Sequence, residues 1–233
     1  MKTMSLIILS LIISSTYGQD NKYEADADYN VRIGKYEEAI ELYDKVLMQN
    51  DTCSYNYFLR GYCYYKTNKQ SKAVADFTKA INSYKSDIKE EGWFVGSRTI
   101  RIGEDKYKTY DKYISLEYDF INSYFYRGLS KFALKDFRGA LNDFSFVTKI
   151  DNSDANAYMN VGLCLIELNR HEEAILPLST SIEIDNKSAY SYYLRGISFA
   201  MTGKKERGCS DLSKSGELGY EEAYNAINHF CVE

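Results

Sequence analysis

A glycine inside a helical pattern is a local weakness, costing about 1 kcal/mol relative to alanine. This chain repeats that weakness at a fixed interval. Gly128, Gly162 and Gly196 stand 34 residues apart, and Gly61 has the same surroundings. The clearest copy runs Tyr57-x-x-Arg60-Gly61-x-x-Tyr64, then a polar turn, then Ala73-x-x-Asp76-Phe77-x-x-Ala80. The frame returns at Tyr124/Arg127/Gly128 with Ala140/Asp143/Phe144/Val147, at Tyr158/Gly162/Leu165 with Ala174/Leu178/Ser181, and at Tyr192/Arg195/Gly196/Phe199 with Gly208/Asp211/Leu212/Ser215. Each half has helical period, so Tyr57, Gly61 and Tyr64 share one face and Ala73, Phe77 and Ala80 share another. Small residues in register point to close helix–helix approach rather than to poor helices. One such pair cannot bury its own apolar faces, whereas stacked pairs can.

That period, with a small residue eight positions in and another twelve later, resembles the tetratricopeptide repeat (TPR). The resemblance implies an all-α TPR solenoid of about five helix-turn-helix repeats with a C-terminal capping helix. Taken in order, residues 20–53 read as a degenerate first repeat and 54–87 as the second. Residues 121–154, 155–188 and 189–219 follow as the third, fourth and fifth, and 220–233 as the cap. In the first repeat Tyr23 and Ala27 stand at the contact positions, and Glu37 and Glu38 fall in the first turn of the second helix, where the helix dipole favours acids. The tail from Cys209 through Leu212, Gly219 and Ala223 to Cys231 is similar to the C-terminal end of exported bacterial TPR proteins.

The rhythm breaks over residues 88–120. Arg98–Ile102 and Lys106–Tyr110 alternate about Gly103-Glu104-Asp105, which predicts an inserted β-hairpin. The competing reading is a decayed repeat whose second helix runs from Asp105 to Glu117, with Tyr107, Tyr110 and Ile114 on one face.

Three repeats carry Arg before the glycine (Arg60, Arg127, Arg195) and Asp before the second helix's aromatic or Leu (Asp76, Asp143, Asp211). The fourth has Val161 and Pro177 instead, and the first has Asp26 and Leu42, so both residues vanish together. Joint presence and absence predicts Arg60–Asp76, Arg127–Asp143 and Arg195–Asp211 ion pairs, for which the planar guanidinium fork is suited.

Composition narrows the function classes. The formal net charge is −4, without a basic run or face, which argues against nucleic acid as the partner. Residues 1–18 have a short basic start, an apolar core from Met4 to Ile13 and small residues at Thr16 and Gly18, the three parts of a secretory signal peptide. An uncleaved anchor is the alternative there. With the leader removed, an exported protein, periplasmic or secreted, with no transmembrane segment in the mature chain is expected.

Five cysteines in an exported chain invite a disulfide. Cys209 and Cys231 flank the turn near Gly216–Gly219 on helices that would run antiparallel, with an axial offset of roughly 7 Å. A staple there would hold the cap, against the reading of two separate thiols. Cys63 and Cys164 share one repeat position and read as core residues, while Cys53 has no obvious mate. His171 and His229 are the only histidines and stand far apart. No metal-ligand spacing, nucleophile motif or phosphate loop appears, so neither enzyme activity, nor a metal, nor a cofactor is expected.

In the TPR family the first helix of each repeat lines an inner groove at its second, fifth, ninth, twelfth and thirteenth positions. By that register the second repeat supplies Tyr55, Phe58, Tyr62, Tyr65 and Lys66. The third supplies Asn122, Phe125, Leu129 and Phe132, and the fourth Asn156, Met159, Leu163 and Ile166. The fifth supplies Tyr190, Tyr193, Ile197 and Met201. Such a groove is aromatic and apolar, suited to a peptide or protein segment. The expectation is a non-catalytic interaction scaffold, with a carbohydrate or small-ligand binder of the cell envelope as the alternative.

Overall fold

The computed structural model describes residues 23–49, 53–91 and 106–232, and among them the only regular secondary structure is helical. Helix α1 spans 23–32. Then follow α2 (Tyr36–Gln49), α3 (Ser54–Lys66), α4 (Gln70–Glu91), α5 (Lys106–Ala133), α6 (Phe137–Ile150), α7 (Ala155–Glu167), α8 (His171–Ile184), α9 (Ala189–Met201), α10 (Lys205–Glu217) and α11 (Glu222–Phe230). The chain divides into two units, residues 1–126 and 127–233.

In the first unit α3 packs against both α2 and α4. The glycine frame explains the closeness: a Cβ on Gly61 would stand 3.0 Å from the Phe77 ring, so that ring occupies the space a side chain would need. Tyr43, Cys63, Ala73 and Phe77 are fully buried around it. In the second unit α6 to α10 stack in sequence order, each against the next, and α11 covers α10. Gly162 meets Leu178 in the same way that Gly61 meets Phe77.

Every first helix whose end is described turns through one left-handed residue: Gly34, Asn68, Lys135, Asn169 and Gly203. The N–H of the following residue returns to a carbonyl five positions back, as Lys69 to Tyr64 (2.8 Å), Asp136 to Lys131 (2.9 Å) and Arg170 to Leu165 (2.8 Å). This closes orphan carbonyls at the helix end. Gly and Asn suit that conformation, whereas Lys135 carries a Cβ penalty there.

The ion-pair geometry is bidentate. Arg60 Nε and Nη2 donate to Asp76 at 2.7 and 2.8 Å, and its Nη1 donates to Asp44 of α2 at 2.7 Å. Arg127 holds Asp143 at 2.9 and 2.7 Å, with Lys131 on the same carboxylate at 2.8 Å. Arg195 holds Asp211 at 2.7 and 2.9 Å, and its Nη1 reaches Ser179 Oγ of α8 at 3.1 Å. Each arginine therefore fixes the second helix of its own repeat, and Arg60 and Arg195 also reach the second helix of the repeat before. Burial works against the Arg60 charge, but the bonds to Asp76 and Asp44 outweigh it and raise its pKa.

Cys209 and Cys231 form a disulfide, with Cα atoms 5.8 Å apart, joining α10 to the end of α11. Two expectations for residues 88–120 are corrected. The insertion is not wholly non-helical, because α4 continues to Glu91 and α5 begins at Lys106. The second hairpin strand, Lys106–Tyr110, is the first turn of α5, its three- and four-residue spacing winning over the alternation. Arg98–Ile102 and the leader, residues 1–18, lie outside the described residues.

Candidate functional site: two tyrosine faces

The first unit gathers its rings where α2, α3 and α5 meet. Tyr62 and Tyr65, one turn apart on α3, flank Tyr126 of α5 at 5.1 and 5.4 Å between ring centroids. Tyr36 joins from the start of α2, edge-on to Tyr62 at 6.1 Å. Phe125 lies 5.9 Å from Tyr126, and Tyr126 stacks on the core ring of Phe77 at 6.1 Å. These side chains are half-buried, so one part of each is held by neighbours and another stays open. Lys66 Nζ sits 5.8 Å from the rings of both Tyr36 and Tyr62, a cation at the edge of the cluster.

Farther along α3 the character changes. Tyr55 donates to Asp28 Oδ2 at 3.2 Å, and the buried Tyr43 donates to Asp28 Oδ1 at 2.6 Å. Burial first, then Asp28 through its hydrogen bonds and its charge, pushes both phenols well above the usual tyrosine range. These hydroxyls are therefore fixed donors that never ionise near neutral pH.

The second unit has its own cluster. Tyr190 and Tyr193 of α9 stack at 6.1 Å with 14° between planes, and Tyr220, from the turn before α11, contacts them at 5.4 and 4.9 Å. Burial, then Tyr220, raises the Tyr190 pKa. Leu129, Met159, Leu163, Ile166 and Ile197 are half-buried, and Met201 is 55 % exposed. Phe132 is occupied by Phe137 of α6, edge-on at 5.1 Å.

One expected groove residue is placed elsewhere. Phe58 is buried and belongs to the hydrophobic core of the first unit, tilted against Phe77 at 6.0 Å. Its register position would suit a groove, but the neighbouring rings of Phe77 and Tyr126 close over it. Tyr36, Tyr126 and Tyr220 were not predicted. Tyr36 and Tyr220 sit at helix starts outside the first-helix register, and Tyr126 stands one position beyond Phe125, so the family rule passes over all three.

Other candidate chemistry has plain surroundings. Cys63 and Cys164 are buried, and burial pushes both thiols up to about 12. Among the described residues no three His, Cys, Asp or Glu side chains come together as a metal-holding group. Among them no helix is long and apolar enough to cross a membrane.

Paired helices at a 34-residue frame, glycine contacts and half-open ring clusters define a helical-repeat protein. The tetratricopeptide repeat family model matches residues 25–88 and 126–189, more than half of the chain, and the protein belongs to that family. Solved structures agree in fold. YrrB, described as a TPR protein with an unusual peptide-binding site, superposes with a TM-score of 0.68 at 18% identity, covering 88% of this chain and 90% of that one. One MamA structure gives 0.66 at 15% identity, covering 92% and 96%. MamA from Desulfovibrio magneticus RS-1 gives 0.64 at 16%, covering 85% and 94%. No curated protein sequence matches significantly. The family's fold is one of protein-interaction scaffolds, and the chain shares it.

Proposed function

We propose that this protein is an exported, non-catalytic scaffold that captures a segment of a partner protein on the tyrosine face of its first unit. The observation that carries this reading is the half-open set Tyr36, Tyr62, Tyr65 and Tyr126, whose rings are already held by one another. Rings fixed before binding lose little freedom when a segment lands on them, so more of the contact energy appears as affinity. Lys66 at the edge and the Asp28-bound hydroxyl of Tyr55 add polar anchors that would set the direction of the segment. The peptide-binding site in the description of YrrB is that protein's own, yet it is the kind of use proposed for this fold.

Binding without chemistry fits the protonated, buried thiols and the phenols held above the range of useful acid–base work. Export is supported by the three-part leader pattern and by the Cys209–Cys231 bridge, since such bonds persist in oxidising compartments. Fractionation of cells making the tagged full-length chain, with the disulfide read by thiol labelling, tests export.

The binding test is selection of phage-displayed 12-residue peptides on the oxidised protein. Tyr65→Ala should weaken selected peptides by about tenfold or more, with the circular dichroism melt largely kept. Selected peptides that bind wild type and Tyr65→Ala alike would overturn the assignment of this face.

A further inference from the structure

In the second and fifth repeats one volume beside the first helix is filled by an arginine side chain in the same way. Arg60 lies over the ring three residues before it, Tyr57, at 5.7 Å, and Arg195 lies over Tyr192 at 5.7 Å. Each guanidinium holds the aspartate sixteen residues later and reaches a side chain sixteen residues earlier, Asp44 or Ser179. The fourth repeat has Val161 at this point. The same offsets from Val161 lead to Tyr158, Pro177 and Ser145. All four of these residues line one open pocket of about 580 Å³ between α6, α7 and α8. The Gly162–Leu178 contact is kept in this repeat although the ion pair is absent. The ring shelf remains and the guanidinium is gone.

We propose that this pocket is a second binding site, which takes an uncharged apolar side chain of the leucine, methionine or phenylalanine class presented by a partner peptide. The charge pattern selects that occupant. The only charged lining residues, Arg170 and Glu173, hold each other through two bonds of 2.7 and 2.6 Å, so they offer no net charge to a guest. A guest guanidinium would find the Tyr158 ring but no unpaired carboxylate, and would leave water without compensation. An apolar guest meets the edges of Val161 and Leu165, which are themselves largely buried, and covers Leu176, which is 75 % exposed at the rim. The site shares no residue with the tyrosine face of the first unit, so it stands or falls separately from that reading.

The same 12-residue phage-displayed library, selected on the oxidised full chain, tests it. The variant V161R/P177D rebuilds the arginine and aspartate of the sibling repeats and so fills the volume from within. Leu176→Glu places a charge on the exposed rim without touching the core. Expected is a class of peptides sharing a leucine, methionine or phenylalanine anchor, weakened about tenfold or more by either variant and unaffected by Tyr65→Ala. Cooperative circular dichroism melts close to the wild-type midpoint show that the variants are folded. Peptides that all bind both variants as they bind wild type overturn the inference and leave the tyrosine face intact. A variant-sensitive class anchored by arginine or lysine overturns the occupant argued from charge.

Discussion

The hairpins α7–α8 and α9–α10 are neighbours in one unit, built on the same frame, and they solve the same packing problem differently. Both bring a glycine of the first helix against a leucine of the second, Gly162 on Leu178 and Gly196 on Leu212. Only α9–α10 adds the buried pair Arg195–Asp211, with 19% and 11% side-chain exposure, and only there does a disulfide tie on a further helix. In α7–α8 the corresponding residues are Val161 and Pro177, and a pocket remains. The helices of α7–α8 therefore pair through the glycine contact and its apolar neighbours without an ion pair, which is an addition outside that contact.

Breaking the pair should have the largest effect. Asp211→Ala leaves a mostly buried guanidinium with two aromatic rings and the Ser179 hydroxyl but no carboxylate, and should cost about 3–5 kcal/mol in urea unfolding. Pro177→Ala at the matching place in α8 should cost nothing and can stabilise, since it returns a donor to the helix. Equal losses at the two places would erase the distinction between the hairpins. Next in size is the clamp: Cys209→Ser with Cys231→Ser should lower stability by about 3 kcal/mol, from a sequence separation of 22 residues. Hydrogen exchange should show the loss concentrated in α10 and α11.

The shared feature gives a smaller effect that should be alike in both hairpins. Gly162→Ala and Gly196→Ala each drive a Cβ into a leucine side chain, and the second also meets the Gly208 carbonyl at 3.0 Å. About 1–3 kcal/mol is expected for each, seen as a lower melting midpoint. Lys135→Gly, at the one left-handed turn residue among the described residues that is neither Gly nor Asn, should raise stability by about 1 kcal/mol. The smallest change is expected from grafting the pair into α7–α8. V161R/P177D should fall within about 1 kcal/mol of wild type, because desolvating two charges offsets most of their attraction. A loss of several kcal/mol there would mean the fourth repeat differs from its siblings in more than these two residues.

How much was legible beforehand follows from which forces are local. Gly61, Gly128, Gly162 and Gly196 in register, with Arg and Asp present or absent together, carry the repeat and the pairing, because each residue's partner lies at a constant distance along the chain. The first part of α5 was harder. Lys106–Tyr110 alternates as a strand does and also fits a helical stripe, and so short a window does not separate the two periods. Phe58 obeys the groove register yet sits in the core, because Phe77 and Tyr126 cover it and Tyr126 comes from a distant repeat.

By itself the sequence determined the repeat frame, the helix pairing, the family and the places where the arginine and aspartate drop out. These follow from side chains that meet at fixed separations of a few turns or one repeat. Only the tertiary structure decided which tyrosines form the open faces, that Tyr36, Tyr126 and Tyr220 complete them, and that the missing pair leaves a pocket rather than a collapsed joint. Those outcomes depend on rings and backbones converging from several helices at once.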